Sequence, residues 1–367
     1  MTAFKIEPIA ENLSPELPED LGFGRYFTNR MFLQRYTQEN GWHDATIGAF
    51  RNLSLSPAAE AFQCGQMVFD GTKAYKRPDG DLNLFRVRKN AERFNLSAQR
   101  MGMPGVDEDF HVEVISTLVG LEHRWVPADP DASLYIRPVM VASEPALEVR
   151  ASHEYIHYII VSPVGAYFAN GFNPISVYVS DDHVRAVRGG TGEAKTPGNY
   201  AASIAITEQA RKSDCQQVLW LDAVERKYID EVGAMNIAFV YGDATIKTPP
   251  LSGAILHGVT RDSVLRLAPD MGFEVLEERL EISQVLEDIS SGRITEVFGM
   301  GTAAVIAPVG RLVHGDVDLL VNDNRAGRVA SSLYQRLTDI QYGRSDDPYG
   351  WTTQISIEDV AKSVGSG

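Results

Sequence analysis

Cysteine is almost missing from this chain. Its 367 residues hold two, Cys64 and Cys215. That excludes a disulfide framework and any CxxC redox or zinc motif, and it points to reduced thiols in a cytoplasmic setting. Long apolar runs are missing too: none reaches the ~20 residues that span a bilayer, and the opening MTAFKIEPIAENLSPELPED has no apolar core of signal-peptide length. Positive charge is in short supply. With 34 Lys and Arg against 49 Asp and Glu the net charge is −15, so nucleic acid and anionic membrane are repelled as partners unless a local basic patch intervenes, and none is evident. Metal ligands do not cluster either. His153 and His157 stand i, i+4, but in a strand-like run that spacing holds them apart along the sheet, so no metal site is expected.

What is present is the composition of a soluble globular protein, 44% hydrophobic and 23% charged, long enough for two domains. The Pro/Glu-rich residues 1–22 read as an N-terminal arm. Strand-like alternation in ATIGAFRNLSL and MVFDGTKAY, helical patterns in VRKNAERFNLSAQRMG and VDEDFHVEVISTLVGLEHRW, and strands in LYIRPVMVAS and YIHYIIVSPV make a smaller domain over 23–165. The Gly, Pro and Asn of 166–176 read as an interdomain loop. A larger domain over 177–367 alternates strands (VRAVRG, QQVLWLD, NIAFVYG, TEVFGMG, AVIAPVG) with helices near 198–213, 260–271, 283–291 and 326–341. The expected fold is mixed α/β (α+β), with two domains and the site in the cleft between them.

The richest chemistry lies in GGTGEAKTPGNYAAS, Gly189 to Ser203. Glycines before Lys-Thr suggest a Walker A loop, but that loop needs Gly directly before the Lys, and Ala194 stands there. Lys195 instead sits where a glycine-rich approach meets a helix start. A crowded lysine is the side chain that condenses with aldehydes, because desolvation frees the amine lone pair. Tyr200 follows within reach if the chain turns at Pro197-Gly198. In HGVTRDSVLRLA, a turn at Gly258 and a cap at Thr260 lead into a helix whose first N–H groups, at Val259 and Thr260, can face an anion. Gly299-x-Gly301-x-x-Ala304 superficially fits a dinucleotide fingerprint, but no helix follows to take a pyrophosphate.

WLDAVERKYIDEVGAMNIAFV, LSGAILHGVTRDSVLRLAPDMGFEV and FGMGTAAVIAPVG, with LYIRPVMVASEPALEVR and VFDGTKAYKRPDG upstream, resemble the branched-chain amino acid aminotransferases of the fold-type IV pyridoxal phosphate class. The resemblance runs from about GFGRYFTNRM onward, in the family's order. It implies pyridoxal 5′-phosphate as cofactor, Lys195 as the Schiff-base lysine and proton carrier, and Tyr200 as donor to the cofactor's phenolic oxygen. Glu231 pairs with the pyridine nitrogen, and Arg93, Gly258, Val259, Thr260 and Thr302 hold the phosphate. For the substrate it implies Phe69, Tyr135, Arg137 and Tyr167 as pocket walls, with Arg137 meeting the side-chain carboxylate of glutamate, and Ala234, Thr302 and Ala303 around the α-carboxylate. The implied reaction is ping-pong exchange of the amino group between L-leucine, L-isoleucine or L-valine and 2-oxoglutarate, in biosynthesis or degradation of those acids, by a homodimer.

Five positions depart from the family pattern: Asn29 and Arg30 for Asp and His, Cys64 for Tyr, Asp70 for Glu, and Pro197 for Gly. A small thiol at 64 reshapes a side-chain pocket, so substrate range is the property most open to change. Other fold-type IV activities compete with this reading, namely D-amino acid or (R)-amine transamination and aminodeoxychorismate lysis, as does a non-catalytic relative. Retention of Lys195, Tyr200 and Glu231 together weighs against the last.

Overall fold

The computed structural model describes residues 4–9, 17–129, 131–168, 171–242 and 244–360. The chain forms two compact units, Met1–Tyr167 with Asp339–Gly367, and Phe168–Thr338. No helix among the described residues is long and apolar enough to cross a membrane.

The first unit is a sheet flanked by helices. Its strands are β1 (Lys5–Ile6), β2 (Arg30–Thr37), β3 (Gly41–Ala49), β4 (Met67–Phe69), β5 (Thr72–Lys76), β6 (Leu82–Phe85), β7 (Ser133–Ala142) and β8 (Glu154–Val164), with α1 (Glu60–Gln63), α2 (Val87–Arg100) and α3 (Glu108–Leu121) between them. They pair in the order β1-β3-β2-β8-β7-β5-β6, and β4 adds to β7. Of the arm, residues 1–3 and 10–16 lie outside the described residues, while Lys5–Ile6 run parallel to β3 at Thr46 and Ile47. Helix α3 starts where the Asp107 carboxylate accepts the Phe110 N–H at 2.8 Å. Its Val114, Ile115 and Leu118 are buried against Phe32, Ile47, Leu134 and Ile159 of the sheet, each worth ~1.5–3 kcal/mol of burial. Helix α2 buries Asn90, Ala91, Arg93, Phe94, Ser97 and Ala98, a stripe at i, i+3, i+4 spacing that carries one arginine inward.

Two neutral histidines sit in this core. The rings of His111 and His157 stack at 5.1 Å, with Phe94 and Phe32 packed on His157 at 5.4 and 5.5 Å. His157 Nδ1 meets Gln34 Nε2 at 3.0 Å, and His157 Nε2 and His111 Nδ1 have no hydrogen-bond partner among the described residues. Burial drives His111 down to about 4, against a pull upward from Asp70, and holds His157 well below the usual range. Unfolded histidines take up protons near pH 6.5, whereas the folded pair refuses them. The stability is therefore complete above that pH and is lost as pH falls, by ~1.4 kcal/mol per pH unit per histidine. Urea midpoints should drop between pH 6.5 and 5, and His111→Leu should flatten that dependence; a parent midpoint independent of pH would refute it.

The second unit contains β9 (Ile175–Ser180), β10 (Gln217–Leu221), β11 (Ile229–Val232), β12 (Asn236–Tyr241), β13 (Thr245–Thr248), β14 (Glu274–Glu277), β15 (Ile294–Gly301), β16 (Val305–His314) and β17 (Val317–Leu320). Its helices are α4 (Pro197–Ala201), α5 (Ile204–Arg211), α6 (Val259–Asp270), α7 (Ile282–Ser290) and α8 (Arg328–Gln341), the last ending in the first unit. The strand order is β11-β10-β9-β16-β15-β12-β13-β14, with β17 on β16. Val177, Val179, Leu219, Ile237, Phe239 and Val309 form its core with Val285 and Ile289 of α7. After α8, β18 (Thr352–Ile355) pairs antiparallel with β6, so the chain returns to the first sheet.

Two expectations are corrected. VRAVRG is not a strand: residues 184–189 form no ladder, and Arg185 instead pairs with Glu231 of β11 and donates to the loop carbonyl of Gly192. The helix expected over 198–213 is two, α4 and α5, interrupted at Ala202-Ser203, where the Ser203 hydroxyl donates to Tyr200 O at 2.7 Å. Of the loop 166–176, residues 169 and 170 lie outside the described residues.

Candidate active site

In the second unit the glycine-rich segment delivers Lys195 to the foot of α4. Pro197, the departure from glycine, occupies the first turn of that helix, where its fixed φ suits the helix start. Asn199 locks the approach: its Nδ2 donates to Thr191 O and Ala194 O at 2.7 and 2.8 Å, and its Oδ1 accepts from the Thr191 hydroxyl at 2.8 Å. One helical turn then brings Tyr200 over Lys195, whose Nζ donates to Tyr200 Oη at 2.8 Å.

Glu231 lies on β11 with 3% of its surface exposed. Its carboxylate accepts from Asn236 Nδ2 at 2.9 Å and from the Leu256 N–H at 3.3 Å, and pairs with Arg185 Nε at 2.5 Å. Desolvation pushes it up to about 7, opposed by the charge of Arg185; the charge of Asp230 adds to the rise, and the Leu256 N–H and Lys195 pull it down. Lys195 is thus close enough to act on this carboxylate electrostatically. Arg185 also donates to Gly192 O at 3.2 Å and to Ala254 O, tying the lysine loop to the segment that leads into α6.

Asn236 is the second tie. Besides Glu231 it bonds Leu256 O at 3.0 Å, and its Oδ1 occupies the space that a Cβ at Gly258 would need. Only glycine fits there, so α6 begins with no capping side chain and with Val259 and Thr260 buried at its first turn. A helix N-terminus without a capping side chain favours an anion. Thr302 and Ala303 form the turn between β15 and β16, at the end of the β12–β15 ladder where the Gly233–Met235 turn with Ala234 also lies. Gly299 and Gly301 are strand residues packed under Met235, not a dinucleotide loop.

The first unit gathers the other expected residues. Arg93 is 6% exposed and gripped by Asp70: Nε donates to Oδ2 at 2.9 Å and Nη2 to Oδ1 at 2.7 Å, with Asn90 Nδ2 on Oδ1 at 2.9 Å. The shorter Asp, in place of Glu, still fixes the guanidinium in two directions. On the β7 side, Arg137 Nη2 donates to Tyr135 Oη at 2.9 Å, and its guanidinium lies over the rings of Phe69 (4.6 Å) and Tyr135 (5.2 Å). Phe23, which drew no attention in the sequence, joins Tyr135 (4.8 Å) to Tyr167 (5.2 Å) edge to face. The Tyr135 hydroxyl reaches this position because residue 71 is glycine; a Cβ there would overlap it. Lys73 stands opposite Tyr135 in the β5–β7 ladder, and burial lowers it to about 8.

Of the remaining departures, Asn29 and Arg30 serve Glu122, which is 1% exposed and pushed up by burial. The Asn29 N–H donates to its Oε2 at 2.9 Å and Arg30 Nε lies 3.5 Å from its Oε1. Cys64 is exposed just past α1. Arg185, Asn199, Asn236 and Phe23 are the residues that sequence reasoning missed. Arg185, Asn236 and Phe23 act through partners elsewhere in the fold and Asn199 through Thr191 and Ala194 of its own segment; the two asparagines alone left a trace, as the polar residues of GNY and AMN.

The family model for amino-transferase class IV matches residues 67–312. Branched-chain-amino-acid transaminase 1 of Bacillus subtilis is 47% identical over 340 residues, covering 92% of this chain and 95% of that one. Among solved structures, the branched-chain amino acid aminotransferase of Escherichia coli superposes with a TM-score of 0.73 at 25% identity, covering 88% of this chain and 99% of that one. The T.th. branched-chain amino acid aminotransferase complexed with N-(5′-phosphopyridoxyl)-L-glutamate gives 0.72 at 25%, covering 89% and 99%. The chain belongs to the class IV aminotransferases, in the group of the branched-chain amino acid aminotransferases.

Proposed function

We propose that this protein transfers the amino group between L-leucine, L-isoleucine or L-valine and 2-oxoglutarate, with pyridoxal 5′-phosphate as its cofactor, as a homodimer in the cytoplasm. The observation that carries the reading is the constellation in the second unit: an amine held by a phenol, a buried carboxylate held by a guanidinium, and an uncapped helix start, all tied together by Asn236 and Arg185. These residues fit the cofactor's aldehyde, ring nitrogen and phosphate. When bound, the cofactor supplies an aldehyde for amines and a ring that accepts the electron pair left at the substrate's α-carbon.

The protein's share is positioning and proton control. With the cofactor bound, Lys195 Nζ would hold and return the proton of the substrate's α-carbon, and Tyr200 Oη, 2.8 Å away, would aim that amine and donate to the cofactor's phenolic oxygen. Glu231 would face the ring nitrogen, where its carboxylate favours the protonated ring; burial raises this carboxyl to about 7 and the charge of Arg185 opposes the rise. Gly258, Val259 and Thr260, with Thr302 and Arg93, take the phosphate. Phe69, Tyr135, Arg137 and Tyr167 receive the substrate side chain, and Ala234, Thr302 and Ala303 its α-carboxylate.

Arg137 separates the two substrate classes. Its Nε is buried with no hydrogen-bond partner among the described residues, so it has a donor to offer the second carboxylate of glutamate. Arg137→Met keeps the stacking stem and removes the charge. The kcat/KM for glutamate should fall ~10–100-fold more than that for leucine. Equal losses would make Arg137 structural. For the activity itself, a panel of L-leucine, D-alanine and an (R)-amine with 2-oxoglutarate should show turnover with L-leucine alone, and preferential turnover of D-alanine or the amine would overturn the reading.

A further inference from the structure

The second unit holds a cleft of about 670 Å³ that none of the roles above uses, within the ~300–1,000 Å³ range of small-molecule sites. Asp230 stands on its wall, one residue before Glu231 on β11. Asp230 is the extra residue of a β-bulge opposite Trp220 and Leu221 of β10, and it lines the cleft while Glu231 turns to Arg185 and Asn236. Asp230 is 9% exposed, and its carboxylate has no hydrogen bond or ion pair among the described residues. A buried carboxylate without such a contact is costly: desolvation pushes it up to about 6, with the charge of Asp222 adding to the rise and the charges of Arg185 and Arg279 opposing it.

The same wall carries Arg188, an exposed guanidinium that makes no ion pair among the described residues. The other charges there are engaged. Arg279 pairs with Glu225 at 2.7 Å and lies 3.5 Å over the Tyr228 ring, Asp222 accepts the N–H groups of Val224, Glu225, Lys227 and Tyr228, and Glu193 faces His257 at 3.3 Å. Pro249, Pro250, Leu251 and Ile255 supply an apolar wall. One unsatisfied anion, one unsatisfied cation and a short aliphatic surface are the complement of a zwitterion with an apolar side chain. We propose that this cleft is a second site, separate from the transamination centre, that binds a free aliphatic α-amino acid with its ammonium on Asp230 and its carboxylate on Arg188. Because the charge of Asp230 raises Glu231, an ammonium seated there also reaches the catalytic carboxylate electrostatically.

The test is equilibrium dialysis of the cofactor-loaded protein with N-methyl-L-valine, a secondary amine that does not enter the exchange as a primary amine does. Saturable binding of one molecule per chain is expected, weakened roughly tenfold or more by Asp230→Asn and by Arg188→Gln, as befits loss of a charge-assisted contact. Arg188 is exposed, so its variant keeps the fold even if that of Asp230 does not. N-methylisobutylamine, which lacks the carboxylate, should bind at least roughly tenfold more weakly than N-methyl-L-valine. Absence of saturable binding, or an unchanged dissociation constant in Arg188→Gln, overturns the site; equal affinity for the amine overturns the amino acid assignment. Dialysis reads binding without turnover, so a failure of the transaminase reading leaves this result standing on its own.

Discussion

Replacing Lys195 by alanine should reduce transamination to trace level, the largest effect expected of any single change. No other amine approaches Tyr200 Oη and Glu231 in the second unit among the described contacts: Arg185 is committed to Glu231, Gly192 and Ala254, and a guanidinium does not give up its proton at neutral pH. General acid–base transfer by a positioned group contributes ~10²–10⁴-fold, and in its proposed role Lys195 is also the amine that substrate displaces, so the two losses should compound. Steady-state rates with L-leucine and 2-oxoglutarate check it. Turnover above trace in a cofactor-loaded Lys195→Ala protein would remove Lys195 from its role.

Glu231→Gln preserves shape and the contacts with Asn236 and Leu256 while deleting the charge. In the proposed role the ring nitrogen then loses the carboxylate that favours its protonated form, and Arg185 loses its buried partner. A rate loss of ~10²-fold or more is expected, which corresponds to ~2.7 kcal/mol of transition-state stabilisation. The thermal midpoint should fall as well, because a buried guanidinium is left facing a neutral amide. Measuring the half-reaction with leucine separates the effects: a parent-like rate in a destabilised protein would assign Glu231 to structure alone.

The residues proposed to carry chemistry stand out in the sequence because each sits in a local pattern that constrains it. Gly189 to Ser203 sets a lysine at a helix start, and HGVTRD announces a turn and a helix, although the cap expected at Thr260 is not formed: Gly258 holds the N-cap position and Thr260 lies inside the first turn. The amphipathic stripes of α2 and α3 and the alternation of β7 and β8 were readable for the same reason: local period reflects the face that is buried. What stayed hidden depends on partners far along the chain. Arg185 lies in VRAVRG, whose alternation suggests a strand, yet its guanidinium is claimed by Glu231 and by two loop carbonyls. Phe23 precedes the first long strand in a glycine-rich segment and acquires meaning only against Tyr135 and Tyr167. Strand β18 is short and polar, with two of its four residues exposed, and nothing in its pattern announces that it returns to pair with β6. Asp70 was legible as a departure from the family but not in what it does; the bidentate grip on Arg93 appears only in three dimensions.

The central claim is that Lys195, Tyr200 and Glu231 hold a cofactor that accepts the amino group of a branched-chain L-amino acid. Its most direct test is a single-turnover titration of the purified protein followed by visible absorption, with no oxo acid present. The account predicts a visible band from the bound cofactor that fades as L-leucine is added, release of one 4-methyl-2-oxopentanoate per chain, and return of the band on adding 2-oxoglutarate. A cofactor-loaded protein whose band is indifferent to L-leucine, with no oxo acid released, would contradict it.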